Sequence, residues 1–288
     1  MNVLVTGGNA GIGYFTAEQL AEAGATVVLG SRSQAKADAA AASIRARIPG
    51  AVVRHMPLDL RDLSSLKSSV DGQDPLDAVV FNAGIALDEP VRRTSADGHE
   101  LMFATNHLGH FALAYWLAPL LTTARFITVG SFATRSERLD LDDLQSTRDY
   151  DPKRTYGRSK LAQMSFGFEL DRRLRAVRSN AMSVVVHPGG ALDSLTPSRP
   201  GVHTRPSSTR IAGLLLHGKD SGARPAVHAV LDPQVEGGQL WGPRQFGLRG
   251  KPHLEKPHAH MTDPETAAVL WEKSCELTGL DLGEVLSL

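Results

Sequence analysis

The 288-residue chain has little cysteine, no excess of either charge and no long apolar run, and each absence excludes a class of protein. Its one cysteine, Cys275, excludes an internal disulfide framework and fits a reducing compartment. Basic and acidic residues each number 31, so no basic field is present to neutralise nucleic-acid phosphates. No run of about 18 apolar residues could span a bilayer. An apolar run that already starts at residue 2 leaves no room for a signal peptide. We therefore expect a cytoplasmic protein with no membrane anchor and no nucleic-acid partner.

Two short motifs near the middle of the chain suggest acid–base chemistry. Tyr156 and Lys160 are four residues apart, which puts both side chains on one face of a helix. An ammonium beside a phenol favours the phenolate and lowers a pKa that starts near ~10. Ser131, further upstream, offers a hydroxyl that can hold a substrate oxygen while Tyr156 exchanges a proton with it. Such a pair also occurs by chance on amphipathic helices, so its interpretation depends on the rest of the chain.

The first residues of the chain have the pattern of a strand, a glycine-rich turn and a helix. Glycines suit a backbone that turns tightly and approaches a phosphate closely. The N-terminus of the following helix offers free N–H groups to a pyrophosphate. The spacing, T-G-x-x-x-G-x-G, differs from the G-x-G-x-x-G of many dinucleotide-binding folds. The residues of this turn that we assign to cofactor binding are Gly7, Asn9, Gly11, Ile12 and Gly13.

Seven motifs, in order along nearly the whole chain, resemble those of the short-chain dehydrogenase/reductase superfamily. They are Thr6-Gly7-x-x-x-Gly11-Ile12-Gly13, Leu58-Asp59-Leu60, Asn82-Ala83-Gly84, Asn106, Ser131, Tyr156-x-x-x-Lys160 and His187-Pro188-Gly189. Within the superfamily, the chain looks most like the retinol dehydrogenase and WW-domain oxidoreductase branch. That closer match rests on Asn106-His107-Leu108-Gly109-His110-Phe111, Asp143-Leu144-Gln145 and Leu270-Trp271-Glu272-Lys273-Ser274-Cys275-Glu276-Leu277.

Apolar, β-branched runs alternate with helical patterns, which predicts an α/β fold: a doubly wound parallel sheet of the Rossmann type with helices on both faces. The predicted strands cover residues 2–6, 25–30, 51–56, 77–81, 125–130, 181–186 and 238–241. The predicted helices cover residues 12–23, 34–47, 62–71, 97–121, 153–178, 221–231 and 264–278. We expect residues 1–288 to form a single domain. Within it, the Pro-, Gly-, Ser- and Arg-rich stretch 189–220 is predicted to be a substrate lid.

The residues after the second predicted strand bear on the choice of cofactor. An acidic side chain there would bind the ribose 2′-hydroxyl of NAD, but this chain has Ser31 and Arg32. Arginine suits phosphate recognition, so we predict NADP(H), although a solvated loop arginine is a common occurrence. Asp59 can also be interpreted as the cap of a helix that starts near Asp62. By resemblance, the further cofactor-binding residues are Asp59, Leu60, Asn82, Ala83, Gly84, Pro188 and Gly189, together with Tyr156 and Lys160.

The resemblance also implies a catalytic set of four residues. Tyr156 is expected to donate the proton in reduction and to act as the base in oxidation. Ser131 is expected to position the substrate oxygen. Lys160 is expected to lower the pKa of Tyr156 and to hold the nicotinamide ribose. Asn106 is expected to interrupt a helix and to anchor a water molecule connected to Lys160.

Two further features are less regular. The hydroxyl that binds the nicotinamide carboxamide in the superfamily falls here on Leu192 or Asp193, and the sequence leaves open whether Ser194 replaces it. The second feature is a group of histidines in a Pro-rich predicted loop, His253, His258 and His260. No cysteine or paired carboxylate joins them at ligand spacing, so we expect no metal site there.

Three functions agree with these patterns. The first is NADPH-dependent reduction of a ketone or aldehyde on a lipophilic, polyketide-type substrate. The polyketide-type substrate is suggested only by an arginine-rich composition that is typical of GC-rich bacteria. The second is oxidation of a retinol-like or steroid-like alcohol, since the same residues serve both directions. The third is NADP(H) sensing without turnover, which an intact Asn, Ser, Tyr and Lys set disfavours. Relatives form homo-oligomers through the helices that carry Asn106 and Tyr156, although the C-terminal part can block one of those faces.

Overall fold

The apolar runs of the sequence form the strands of a sheet at the centre of the molecule. The computed structural model describes residues 1–121, 124–202 and 215–286. In chain order the strands are β1 (Asn2–Thr6), β2 (Thr26–Ser31), β3 (Val53–Pro57), β4 (Ala78–Phe81), β5 (Arg125–Val129), β6 (Met182–Val186), β7 (Ala191–Leu192), β8 (His217–Gly218), β9 (Leu240–Gln245) and β10 (Arg249–Glu255). Eight of them form the main sheet, in the order β10-β9-β6-β5-β4-β1-β2-β3. Every neighbouring pair in it is parallel except β9 and β10.

The chain winds outward from β1 in one direction and then from β4 in the other, so the predicted doubly wound sheet is confirmed. The helices are α1 (Gly11–Glu22), α2 (Gln34–Arg47), α3 (Leu66–Val70), α4 (Leu101–Phe103), α5 (Gly109–Leu117), α6 (Pro152–Ala176), α7 (Lys219–Gly222), α8 (Arg224–Leu231), α9 (Pro264–Thr278) and α10 (Leu282–Val285). Successive strand residues point to opposite faces of a sheet. Val3 and Val5 therefore join the core under α1, α2 and α8, whereas Leu4 joins the core under α3, α5 and α6.

The main difference from the predicted elements is β10, which occupies the stretch that we expected to be a Pro-rich loop around His253. It pairs with β9 in antiparallel fashion, with an irregularity between Arg249 and Pro252. Because β10 is an edge strand, a proline that cannot donate a ladder hydrogen bond is tolerated there. The same proline, with Gly250 beside it, obscures the alternation by which a strand is found in a sequence.

Helix α9, near the C-terminus, packs against α5 and α6. Trp271 packs edge-on against Phe111, with ring centroids 5.2 Å apart, and at a tilt of 33° against Phe166, with ring centroids 5.9 Å apart. The guanidinium of Arg173 lies 4.2 Å from the centroid of the Trp271 ring. α9 packs against α6 and the turn that carries Asn106, which belong to the helices through which homo-oligomers were expected. Within the described ranges, no helix has the length and apolar character needed to cross a bilayer.

The predicted lid at 189–220 falls partly outside the described residues, since 203–214 are not among them. Its described parts form regular secondary structure and contact the rest of the protein. β7 and β8 pair in parallel as a small second sheet, and α7 follows β8 directly. Gln19 in α1 donates a hydrogen bond to the carbonyl of Asp220 in α7 at 2.7 Å, which joins the end of this segment to the first helix.

Candidate active site

The carboxyl ends of the parallel strands open into one cleft of about 630 Å³, a size typical of ligand sites. It lies where the strand order reverses beside β1, which is where open parallel sheets bind ligands. The predicted site residues that line it are Gly7, Asn9, Gly11, Ile12, Ser31, Arg32, Asp59, Leu60, Asn82, Ala83, Gly84, Ser131, Tyr156, Lys160, Pro188 and Gly189. Two predicted site residues, Gly13 and Asn106, are not among the residues that line it.

The glycine-rich turn has backbone geometry that glycine adopts without strain. Gly7 and Gly11 have φ angles of 66° and 59°, in the left-handed region. Gly13 lies within α1, where a Cβ would collide with the Asn82 side chain and the Gly7 carbonyl. Its role is therefore close packing of α1 rather than direct contact with a ligand. No side chain caps the start of α1 at Ala10, so the first N–H groups of the helix remain available to an anion.

Arg32, Asp59 and Arg61 line the side of the cleft next to β2 and β3. Arg61 donates two hydrogen bonds to the Asp59 carboxylate, from Nε to Oδ1 at 2.9 Å and from Nη2 to Oδ2 at 2.7 Å. Burial raises the pKa of Asp59, but the hydrogen bonds from Arg61 and the charge of Arg32 outweigh it and leave the pKa below its ordinary value. The carboxylate, which also accepts the backbone N–H of Arg61 at 3.0 Å, is thus committed to Arg61. The helical turn that follows begins at Leu63 with Asp62 at its N-cap position, so Asp59 does not cap it. The sequence did not single out Arg61.

A buried polar network supports the cleft wall between β1 and β4. The Thr6 hydroxyl accepts the backbone N–H groups of Asn82 at 3.0 Å and Ala83 at 2.9 Å. It also lies 2.9 Å from Nε2 of His110 in α5. Burial lowers the pKa of His110 to about 3, so its imidazole is neutral at ordinary pH. These contacts fix the backbone after β4, which the resemblance assigns to cofactor binding.

Lys160 belongs to the same network and is buried at the edge of the cleft. Its ammonium donates to the carbonyl of Val129 at 2.6 Å and to Oε1 of Gln163. Gln163 in turn donates to the carbonyl of Phe81 at 3.0 Å. Burial lowers the pKa of Lys160 to about 7. An ammonium has three N–H donors, so one remains for a ligand. Gln163, which the sequence did not single out, orients this side chain.

Asn106 lies at a break in its helix, as predicted. The break is a π-helical turn, Ala104–Leu108, between α4 and α5. The Asn106 side chain is fully buried and holds the backbone of Ile85, with Oδ1 accepting its N–H at 2.8 Å and Nδ2 donating to its carbonyl at 3.0 Å. Nδ2 also donates to the Ser159 hydroxyl at 2.8 Å. These contacts make Asn106 a positioning residue for the cleft wall, and its water-mediated link to Lys160 stays a prediction.

Ser131 and Tyr156 line the same cleft. Ser131 lies two residues after the end of β5. Tyr156 lies near the start of α6, one turn before Lys160. The start of α6 is fixed by Asp151, whose carboxylate accepts the N–H of Arg154 at 2.7 Å. The end of a strand and a capped helix start thus bring a hydroxyl and a phenol to one wall of the cleft.

The wall after β6 carries a carboxylate where the superfamily has a hydroxyl. Asp193 lines the cleft and forms an ion pair with Lys219, with Oδ1 and Nζ 2.6 Å apart. Ser194 is exposed and is not among the lining residues. Lys219 also lines the cleft, and the sequence did not single it out.

The edge strand β10 supports the segments that follow β5 and β6 through the side chain of Glu255. Its residue Glu255 lies 3.2 Å from Nε2 of His187 and accepts a hydrogen bond from Arg135 at 2.9 Å. Burial raises the pKa of Glu255, but His187 and Arg135 lower it below its ordinary value. The carboxylate therefore ties the segment after β5 to the segment after β6. Across the residues that the structure describes, no group of three or more His, Cys, Asp or Glu is arranged to hold a metal ion.

Comparison with known proteins identifies the relatives of this arrangement. The family model described as short chain dehydrogenase matches residues 1–140. Human polyprenol dehydrogenase is 32% identical, over 96% of this chain and 84% of the relative. Human retinol dehydrogenase 13 is 33% identical, over 98% and 86%. Among solved structures, an uncharacterized protein from Mycobacterium paratuberculosis has a TM-score of 0.80 and 36% identity, with 98% of this chain and 94% of that chain covered.

Proposed function

This chain belongs to the short-chain dehydrogenase/reductase superfamily, near its retinol dehydrogenase branch, and is an oxidoreductase. On that premise, we propose that it uses NADPH to reduce a ketone or aldehyde group on a lipophilic small molecule. The observation that carries this proposal is that Ser131, Tyr156 and the buried Lys160 lie along the same cleft as the glycine-rich turn. A hydride donor bound along that turn and a carbonyl beside Tyr156 would share one cleft.

The cleft fits a nicotinamide dinucleotide. A Cβ at Gly11 would have only the Lys219 side chain within 4 Å, so the backbone of the turn is open to the cleft. The uncapped N–H groups of α1 would hold the diphosphate. The exposed Arg32 would hold the 2′-phosphate of NADP(H), because no acidic side chain directly follows β2 to bind a free 2′-hydroxyl.

The dinucleotide would supply the hydride, and the protein would orient the carbonyl and supply the proton. In this proposal the Ser131 hydroxyl holds the carbonyl oxygen and Tyr156 donates its phenolic proton to that oxygen as charge develops. Lys160, one turn along α6, favours the phenolate that remains, and only its charged form can do so. Gln163 and the Val129 carbonyl hold the ammonium in place.

The relatives support a lipophilic substrate and also favour a second candidate function. Human polyprenol dehydrogenase and retinol dehydrogenase 13 are named for long apolar alcohols. Alcohol oxidation by this chain, with Tyr156 as the base, is therefore the alternative. Reduction is preferred because cells keep NADPH largely in the reduced form. Sensing of NADP(H) without turnover is disfavoured by the complete catalytic set.

The test measures turnover with a panel of lipophilic ketones, aldehydes and alcohols, following NADPH absorbance in both directions. Tyr156→Phe should reduce turnover to below a few per cent of wild type while NADPH affinity stays nearly unchanged, because the phenol transfers a proton and contributes little to cofactor binding. Tyr115→Phe, in α5 and outside the cleft, is the matched control and should keep full activity. Substantial turnover by Tyr156→Phe would remove Tyr156 from this role.

A further inference from the structure

The ion pair between Lys219 and Asp193 joins two segments of the chain inside the cleft. The side chains are 23% and 16% exposed, so the pair is largely shielded from solvent. An ion pair at the protein surface contributes little, whereas one that is partly removed from water responds strongly to a further charge placed beside it. The diphosphate of a bound dinucleotide would bring two negative charges into this same cleft.

The ammonium of Lys219 lies directly over the glycine-rich turn. A Cβ built on Gly11 would be 3.8 Å from Nζ of Lys219 and 3.9 Å from its Cδ. Gly11 is the first residue of α1, whose uncapped N–H groups form the anion site described above. The lysine therefore faces the place where a diphosphate would meet the helix N-terminus, from the opposite wall of the cleft.

The backbone of Lys219 is held in this place by a hydrogen bond and by strand pairing. Its N–H donates to the Thr196 hydroxyl at 2.9 Å, and that hydroxyl donates to the carbonyl of Leu192 at 2.6 Å. The pairing of β7 with β8 sets Asp193 and Lys219, the residues that directly follow these strands, side by side. The position of the cation is therefore built into the fold before any ligand binds.

From this geometry we propose that Lys219 is a cofactor-binding residue that contacts the diphosphate, and that Asp193 positions its ammonium. The inference rests on the proposed dinucleotide function. Without Lys219, the Asp193 carboxylate would be an uncompensated negative charge next to the diphosphate and would repel it. Lys219 thus has two effects on affinity: it attracts the diphosphate, and it neutralises Asp193.

The experiment measures dissociation constants of four ligands for wild type and Lys219→Gln. NADPH, NADH and ADP-ribose share the diphosphate, whereas 2′-AMP lacks it. Lys219→Gln should weaken the first three by a similar factor, about tenfold or more, which is the range for a hydrogen bond to a charged group. Binding of 2′-AMP should stay unchanged. Lys219→Arg should keep most of the affinity. Lys67→Gln, which breaks an ion pair between α3 and Asp71 directly after it, should change none of the four constants.

A double variant separates a direct role from a structural one. Lys219→Gln combined with Asp193→Asn should bind ADP-ribose more tightly than Lys219→Gln alone, because the repelling carboxylate is gone. Unchanged ADP-ribose affinity in Lys219→Gln, or an equal loss for 2′-AMP, would overturn this inference while leaving the proposed function intact. Failure of the wild-type protein to bind any dinucleotide would instead overturn the proposed function itself, and the inference with it.

Discussion

Replacement of Arg32 by alanine tests the choice between NADP(H) and NAD(H). The guanidinium can make paired, charge-assisted hydrogen bonds to a 2′-phosphate, a group that NAD(H) lacks. We expect Arg32→Ala to weaken NADPH binding by about 1 to 3 kcal/mol, or roughly 5- to 150-fold. NADH binding should barely change, because no interaction with that cofactor is lost.

The surroundings of Arg32 indicate that it, rather than Arg61, is available to bind the 2′-phosphate. The neighbouring cation, Arg61, already gives two hydrogen bonds to Asp59, so its charge is largely balanced within the protein. Arg32 is exposed and acts on Asp59 through the electrostatic effect of its charge. It is therefore the more available of the two cations for a phosphate. Because Arg32 is exposed, salt should screen its contribution, and the loss should be smaller at high than at low ionic strength.

The assay is a pair of dissociation constants, for NADPH and NADH, measured by titration at low and high salt for wild type and variant. Arg54→Ala is the control: this arginine is also exposed, but it pairs with Asp74 and lies outside the cleft. It should leave both constants unchanged. An equal loss for the two cofactors in Arg32→Ala would show that Arg32 acts structurally, and the NADP assignment would lose its main support.

Two further predictions concern stability. Trp271→Ala should lower the free energy of unfolding, measured in urea, by about 3 to 5 kcal/mol. The substitution removes the contacts of the indole with Phe111 and Phe166 and leaves a cavity between α9 and these rings. Val269→Ala, on the same helix but 41% exposed, should have a much smaller effect, and a similar loss for both would refute the packing argument. Burial lowers the pKa of Lys160 from 10.5 to about 7, so between these pH values the unfolded chain holds a proton that the folded chain has lost. The free energy of unfolding of wild type should therefore rise with pH across that window relative to Lys160→Met, and parallel pH profiles would contradict the shift.

Much of the fold follows from patterns within short windows of sequence. The alternation of Val3, Leu4 and Val5 already assigns those side chains to opposite faces of a strand, and the structure places them in two separate cores. The four-residue spacing of Tyr156 and Lys160 likewise implies one helix face. Such patterns are local because a helix turn or a strand pleat is completed within a few residues.

The strand β10 shows where local patterns fail. Its residues include Gly250 and Pro252, and neither favours a strand on its own. The strand forms because β9 offers an unpaired edge, and because Glu255 gains two charged or polar partners there. Those partners, His187 and Arg135, are distant in sequence, so no window around β10 contains the reason for it.

The sequence by itself determined the parallel sheet, the cleft at its carboxyl edge and most of the residues that line that cleft. Only the tertiary structure decided which polar groups meet there. Arg61 takes the Asp59 carboxylate, Gln163 orients Lys160, and Lys219 pairs with Asp193 above Gly11. The physical reason is that a charged side chain carries no local signature of its partner. Its partner is set by the strand pairing and helix packing that bring distant segments together, and those depend on the whole core.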